Sequence, residues 1–194
     1  MLAVAILAAG ESRRMGAPKA LLAYRGKTFT EHLMAVTRHP RVGLTKIVLG
    51  AGAENLAEKL KLAPEQIVLN ENWEQGQLSS IQAAVREIAK EITDGMILCP
   101  VDHPALSAEV VAKLIERFDA TQKAIALPTF RGKRGHPVIF RASLYDELLR
   151  AAPDVGARQV VWAHGDETEE VPVQEEGVIL NLNDPDSLKK ILEA

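Results

Sequence analysis

Between Leu7 and Lys19 the chain reads LAAGESRRMGAPK. One short loop thus carries a hydroxyl (Ser12), three cations (Arg13, Arg14 and Lys19) and two glycines (Gly10 and Gly16). Small residues let a backbone approach a ligand closely, and cations balance negative charge, so the composition suits a polyphosphate. Two familiar phosphate loops do not match. The dinucleotide fingerprint spaces its glycines G-x-G-x-x-G, whereas the next glycine after Gly10 is Gly16. The P-loop ends in Gly-Lys-Ser/Thr, whereas Gly16 precedes Ala17 and Pro18, and Lys19 precedes Ala20. A glycine turn with solvated cations is the ordinary reading of the same residues.

Other groups with chemical potential sit at comparable places. Asp102, in Pro100-Val101-Asp102-His103-Pro104, directly follows an apolar run ending at Cys99. A hard dication such as Mg²⁺ takes oxygen ligands, usually one or two carboxylates with substrate phosphates and water. Asp102 suits that role; a turn aspartate is the plain alternative, and His103 is read as structural. The stretch from Asn70 to Ser80 holds Trp73, Gly76, Ser79 and Ser80 and enters a helical pattern. Free N–H groups at a helix start suit a base carbonyl or a phosphate, although the same residues are favoured caps. Lys133, Arg134 and His136 form a cationic cluster between two strand patterns, which as a hairpin tip would simply face water. Asp184 before Pro185 has the form of an N-cap with proline at the first helical position.

These groups need elements to place them. Leu2 to Ala9 is an unbroken apolar run bounded by Gly10, the pattern of a central parallel strand buried on both faces. The polyphosphate-suited loop then leaves the carboxyl end of that strand, where open α/β sheets bind ligands. Further strands are expected at 45–49, 66–69, 96–99, 124–127, 138–140, 171–173 and 178–180. Helices are expected at 28–36, capped by Thr28 with Glu31, and at 53–60, 78–88, 107–118 capped by Ser107, 144–149, 157–163 and 185–192. The alternation predicts one α/β domain over 1–194, with a mostly parallel sheet and a late antiparallel part.

Composition agrees. The 194 residues are 47% hydrophobic but only 4% aromatic, so the core is aliphatic. A net charge of −3 without long charged blocks speaks against nucleic acid as a partner. Cys99 is the sole cysteine, which excludes an internal disulfide and a cysteine-rich metal site. No stretch approaches the roughly 18 apolar residues of a membrane span. Arg13 and Arg14 follow the first apolar run instead of preceding it, the wrong order for a secretory leader. A soluble, cytoplasmic protein is expected.

The loop pattern L-A-A-G-x-S-x-R-M-G-x-x-K resembles the signature of the sugar-nucleotide and cofactor nucleotidyltransferases. Within that superfamily, L-A-A-G together with Pro18-Lys19-Ala20-Leu21-Leu22 is similar to the molybdenum cofactor cytidylyltransferases. The guanylyltransferase relatives more often carry glycine where Ala9 stands and an acidic residue where Pro18 stands. Matching motifs recur at 70–80, 100–104, 135–140, 154–158 and 181–186, so the resemblance spans nearly the whole chain.

The resemblance implies a three-layer α/β/α sandwich of the glycosyltransferase A-like type. It implies that the backbone of Leu7, Ala8, Ala9 and Gly10, with Ser12, Arg13 and Lys19, holds the triphosphate of an NTP. Asn70 or Asn72, with Trp73, Gly76 and Ser79 or Ser80, would form the base and ribose pocket. Asp102 would hold Mg²⁺, with Asp184, or else Asn183, as second contact. His136 of Gly135-His136-Pro137 and Arg158 would meet the acceptor; Pro153 departs from the family's glycine there. The implied reaction is Mg²⁺-dependent transfer of CMP from CTP to the phosphate of molybdenum-loaded molybdopterin, releasing pyrophosphate. GTP, or another acceptor such as a sugar phosphate or methylerythritol phosphate, remains an alternative. So does a non-catalytic nucleotide-binding chaperone that delivers the cofactor. A client molybdoenzyme or its chaperone would be the protein partner.

Overall fold

The computed structural model describes residues 1–12, 15–153 and 155–182. Arg13, Asn183, Asp184 and the helix expected at 185–192 therefore lie outside the described residues. The chain opens with strand β1 (Leu2–Leu7), a small hairpin of β2 (Ala23–Tyr24) and β3 (Lys27–Thr28), and helix α1 (Phe29–Val36). Next come β4 (Val42–Leu49), α2 (Ala53–Lys59), β5 (Ile67–Leu69), α3 (Gln77–Ile88), β6 (Gly95–Pro100) and α4 (Ala108–Ala120). The second half adds β7 (Ile125–Phe130), β8 (Lys133–Arg134), β9 (Val138–Arg141), α5 (Tyr145–Arg150), α6 (Arg158–Ala163) and β10 (Thr168–Pro172).

The main sheet runs β10-β7-β9-β6-β1-β4-β5, with β8 attached to β7. β9 is antiparallel to both of its neighbours, and the other pairings along this path are parallel. This is the mostly parallel sheet with a late antiparallel part that the alternation predicts. The hydrophobic side chains of β1 alternate between two cores. Leu2, Val4 and Ile6 pack with Phe29 and Leu33 of α1, Leu56 of α2 and Leu114 of α4. Ala3, Ala5 and Leu7 pack with Ile81 and Val85 of α3, Leu148 of α5 and Val160 of α6. Helices thus clothe both faces, the three-layer α/β/α arrangement.

Register sets the site. Leu7 pairs with Val48 on one side and with Pro100 on the other, and Leu49 pairs with Leu69. β1, β4, β5 and β6 therefore end level, and the loops that follow them leave one edge together. Among the described residues, no helix is long and apolar enough to cross a membrane.

One element differs from expectation. Val178 to Leu180 is not a strand: a 3-10 turn covers Glu176–Val178. The apolar trio is there to fill space instead of joining a ladder. A Cβ on Gly177 would collide with the Ala105 carbonyl, and one on Gly135 with the Val178 carbonyl. The His136 N–H donates to the Val178 carbonyl at 2.8 Å, and the Ile179 N–H turns back to the Glu176 carbonyl at 2.9 Å, so the segment curls into a turn after one such contact instead of extending.

The capping box read from Thr28 and Glu31 is present. Thr28 Oγ1 accepts from the Glu31 N–H at 3.1 Å, and Glu31 Oε2 accepts from the Thr28 N–H at 2.8 Å. That backbone hydrogen bond holds the Glu31 carboxyl below its usual range. Thr28→Ala is expected to cost about 1 kcal/mol, read as a lower urea midpoint with an unchanged m-value.

Candidate active site

A cleft of about 600 Å³ opens where β1 and β6 end. Leu7, Ala8, Ala9, Gly10, Ser12 and Lys19 line it from the β1 side, and Asp102 from the β6 side. Trp73, Gly76 and Ser80, from the turn that leads into α3, close it.

The β1 loop is folded by its own small polar group. Ser12 has φ 57° and Gly16 φ 67°, so the chain turns twice through the left-handed region. Ser12 Oγ accepts from the Lys19 N–H at 3.0 Å, drawing the two ends of the loop together. The exit is anchored from α1, where Thr30 Oγ1 donates to the Ala20 carbonyl at 3.1 Å. Lys19 is thereby aimed across the cleft: its Nζ lies 3.6 Å from Asp102 Oδ2, with the two side chains 14% and 23% exposed. A cation and a carboxylate, from the two loops expected to handle phosphate and metal, face one another.

The opposite wall rests on Asn70, which is buried and does not line the cleft. Its Nδ2 donates to Ser79 Oγ at 2.8 Å and Ser80 Oγ at 3.0 Å, and its Oδ1 accepts from the Asn72 N–H at 3.0 Å. Ser79 Oγ is also within 2.9 Å of the Asn72 carbonyl and 2.8 Å of the Gly76 carbonyl. Asn70 and Ser79 therefore hold the turn while Trp73, Gly76 and Ser80 present it to the cleft. Glu11, Met15, Glu74, Gln77 and Val101 also line the cleft. Met15 is a fixed position of the loop motif, while the other four occupy its variable positions or those of the later motifs, where the pattern gave no signal.

The two expected acceptor residues lie apart from this cleft. His136 stacks on His103 with ring centroids 4.6 Å apart and planes at 53°, and His103 Nε2 is 3.9 Å from Asp102 Oδ1. Both Nδ1 atoms are buried without a hydrogen-bond partner among the described residues. Burial is the main reason that both imidazoles favour the neutral form, and it pushes His136 down to about 4. Arg158 opens α6 on the surface, its guanidinium 5.8 Å from the Trp162 ring centroid. The Leu182 N–H donates to the Asp102 carbonyl at 2.8 Å.

Among the described residues no group of three His, Cys, Asp or Glu side chains could cage a metal ion. Asp102 pairs with Lys19 here, with both its oxygens toward charged or polar groups. That donor set fits a hard dication held by a carboxylate, substrate phosphates and water instead of by a protein cage.

Two expectations follow from this geometry. Asn70→Ala leaves the Ser79–Ser80 clasp unmade, and should cost about 1–3 kcal/mol and weaken nucleotide binding without touching the cleft; urea denaturation and nucleotide titration check it. His136 binds its proton less readily folded than unfolded, where the ordinary value is 6.5. Stability is then full above that value and declines as pH falls from about 6.5 towards about 4. His136→Phe keeps a stacked ring and should flatten that window in pH-dependent denaturation; an unchanged slope would contradict the assignment.

Residues 4–168 match the model of the MobA-like NTP transferase domain. The chain is 32% identical to a nicotine blue oxidoreductase from Paenarthrobacter nicotinovorans, over 79% of this chain and 78% of that one. It is 30% identical to a molybdenum cofactor guanylyltransferase from Burkholderia ambifaria, over 92% of this chain and 89% of that one. Its structure is similar to that of Rv0371c from Mycobacterium tuberculosis H37Rv, with a TM-score of 0.81 and 26% identity over 100% of this chain and 97% of that one. The same mycobacterial protein solved as a manganese complex matches with a TM-score of 0.74 and 24% identity, over 100% of this chain and 98% of that one. A signature loop at the end of β1, an aspartate facing it from β6 and a family match spanning most of the chain lead to one conclusion: this is a nucleotidyltransferase of the MobA-like NTP transferase family.

Proposed function

We propose that the protein transfers CMP from CTP to the phosphate of a molybdenum-loaded molybdopterin in a divalent-metal-dependent reaction, with Mg²⁺ as the ion. The observation that carries the reaction type is the facing pair of Lys19 and Asp102 at the end of the signature loop. An oxygen of the acceptor phosphate attacks the α-phosphorus, the bond to the β-phosphate oxygen breaks, and pyrophosphate leaves. The acceptor is already ionised near neutral pH, so no general base is needed. What the protein supplies is position and charge.

Lys19 turns from Asp102 to the triphosphate and balances charge on the leaving group, joined by Arg13 of the same loop. Loop amides from Ala8 to Gly10 follow the phosphates. Asp102, with Asp184 or Asn183, would hold the ion, which would supply positive charge against the phosphates. Trp73, Gly76 and Ser80 bound the nucleoside end, with Asn70 and Ser79 fixing them from behind. His136 and Arg158 serve the acceptor side, His136 through its contact with His103 beside Asp102.

CTP is favoured by Ala9 and Pro18, which resemble the cytidylyl branch. GMP transfer is the second reading, favoured by the guanylyltransferase among the relatives. Pyrophosphate release should be measured with CTP, GTP, ATP and UTP, each with Mg²⁺ and with or without the molybdenum-loaded pterin. Turnover confined to CTP with pterin supports the proposal, whereas GTP preference moves the protein to the guanylyl reading. Asp102→Asn is expected to lower turnover by about a hundredfold or more with circular dichroism unchanged. A fully active variant would remove the metal role of Asp102, and nucleotide binding without turnover would favour the delivery chaperone.

A further inference from the structure

We infer that Trp73, seated on Gly50, sets the length of the base pocket and admits a one-ring base while refusing a two-ring one. The inference deepens the proposed CMP transfer and rests on the nucleotide lying in this cleft. Gly50 directly follows β4. A Cβ there would lie 2.6 Å from Trp73 Cβ, 2.7 Å from Trp73 Cγ and 2.7 Å from the Ala9 carbonyl. The root of the indole is therefore pressed into the notch between the end of β4 and the signature loop. The Ala51 N–H donates to that same Ala9 carbonyl at 3.1 Å and fixes the notch from below. Trp73, not Gly50, forms the surface of the cleft at this point.

The wall is also rigid. Trp73 begins a short 3-10 turn, Trp73–Gln75, which the Gly76 N–H closes onto the Trp73 carbonyl at 3.1 Å. Its side chain packs against the core on the α3 side, which includes Ala9, Val48 and Ile81. Swinging the indole aside would open that core, at the cost of apolar contacts.

Geometry then orders the ligand. A triphosphate between Gly10 and Lys19 and reaching towards Asp102 sends its base the other way, over Ala8 and Ala9 to Trp73. Trp73 bounds that end of the cleft. A pyrimidine stops at the indole. The second ring of a purine needs the volume that the indole fills. Gly50 is what lets the indole sit so deep, since any side chain there would drive it out.

The test is calorimetric titration of CTP, UTP, GTP and ATP with Mg²⁺ and no acceptor, which needs no turnover. It is run on the wild-type protein, Trp73→Phe and Trp73→Ala. The wild type should bind both pyrimidine nucleotides about tenfold or more tighter than both purine ones. In Trp73→Ala the purines should gain about tenfold while the pyrimidines do not, with Trp73→Phe in between. A gain of binding cannot come from misfolding. Gly50→Ala, which pushes the indole outward, should weaken pyrimidine binding. Pyrimidine selectivity that survives unchanged in Trp73→Ala overturns the inference and leaves CMP transfer standing. Purine selectivity in the wild type overturns the inference and the CTP assignment together, while leaving the nucleotidyltransferase chemistry.

Discussion

Strand β1 is held on every side. β4 and β6 pair with its two edges, and its alternating side chains are divided between two apolar cores. A slip of one residue would exchange the small Ala3 and Ala5 for the larger Val4 and Ile6 on the α3 side, overfilling one core and emptying the other. The end of β1 is thereby fixed to the residue. Everything the site needs is measured from that end: Lys19 reaches back from its loop, Asp102 follows the strand on one side, and Gly50 follows the strand on the other.

The charge arrangement depends on the same frame. Lys19 and Asp102 face each other in a partly enclosed cleft, where their attraction is less screened than that of a surface pair. The two charges balance one another in the cleft. The imidazoles of His103 and His136, kept neutral chiefly by burial, occupy the space behind Asp102 without adding a second positive charge. The cleft thus holds a carboxylate and an ammonium side by side, with neutral imidazoles behind them.

Residues of one motif divide between two tasks. Trp73, Gly76 and Ser80 meet the cleft, while Asn70 and Ser79 are spent on holding them. A buried amide with two hydroxyl acceptors fixes a turn more firmly than apolar packing alone, because leaving any of those groups unpaired is costly. That side of the cleft is consequently built as a firm wall, in contrast to the β1 loop, which two left-handed residues bend around the cleft.

The sequence by itself determined the elements and the chemistry that is local. The apolar run of β1, the Thr28–Glu31 capping box, the Ser107 cap and the order of strands and helices could be read because each is a pattern within a few residues. The signature loop and Asp102 were legible for the same reason, as motifs following apolar runs. Tertiary structure decided what depends on residues far apart in the chain. Val178 to Leu180 looks like a strand, but the Ile179 N–H bonds back to the Glu176 carbonyl and the backbone passes tightly between Ala105 and Gly135 as a turn. The stacking of His136 on His103, the retreat of Asn70 behind the cleft and the seating of Trp73 on Gly50 are likewise meetings of separate loops. Periodicity reports which face of an element is buried, but not which distant backbone passes beside it, and it is those close approaches that shape the pocket.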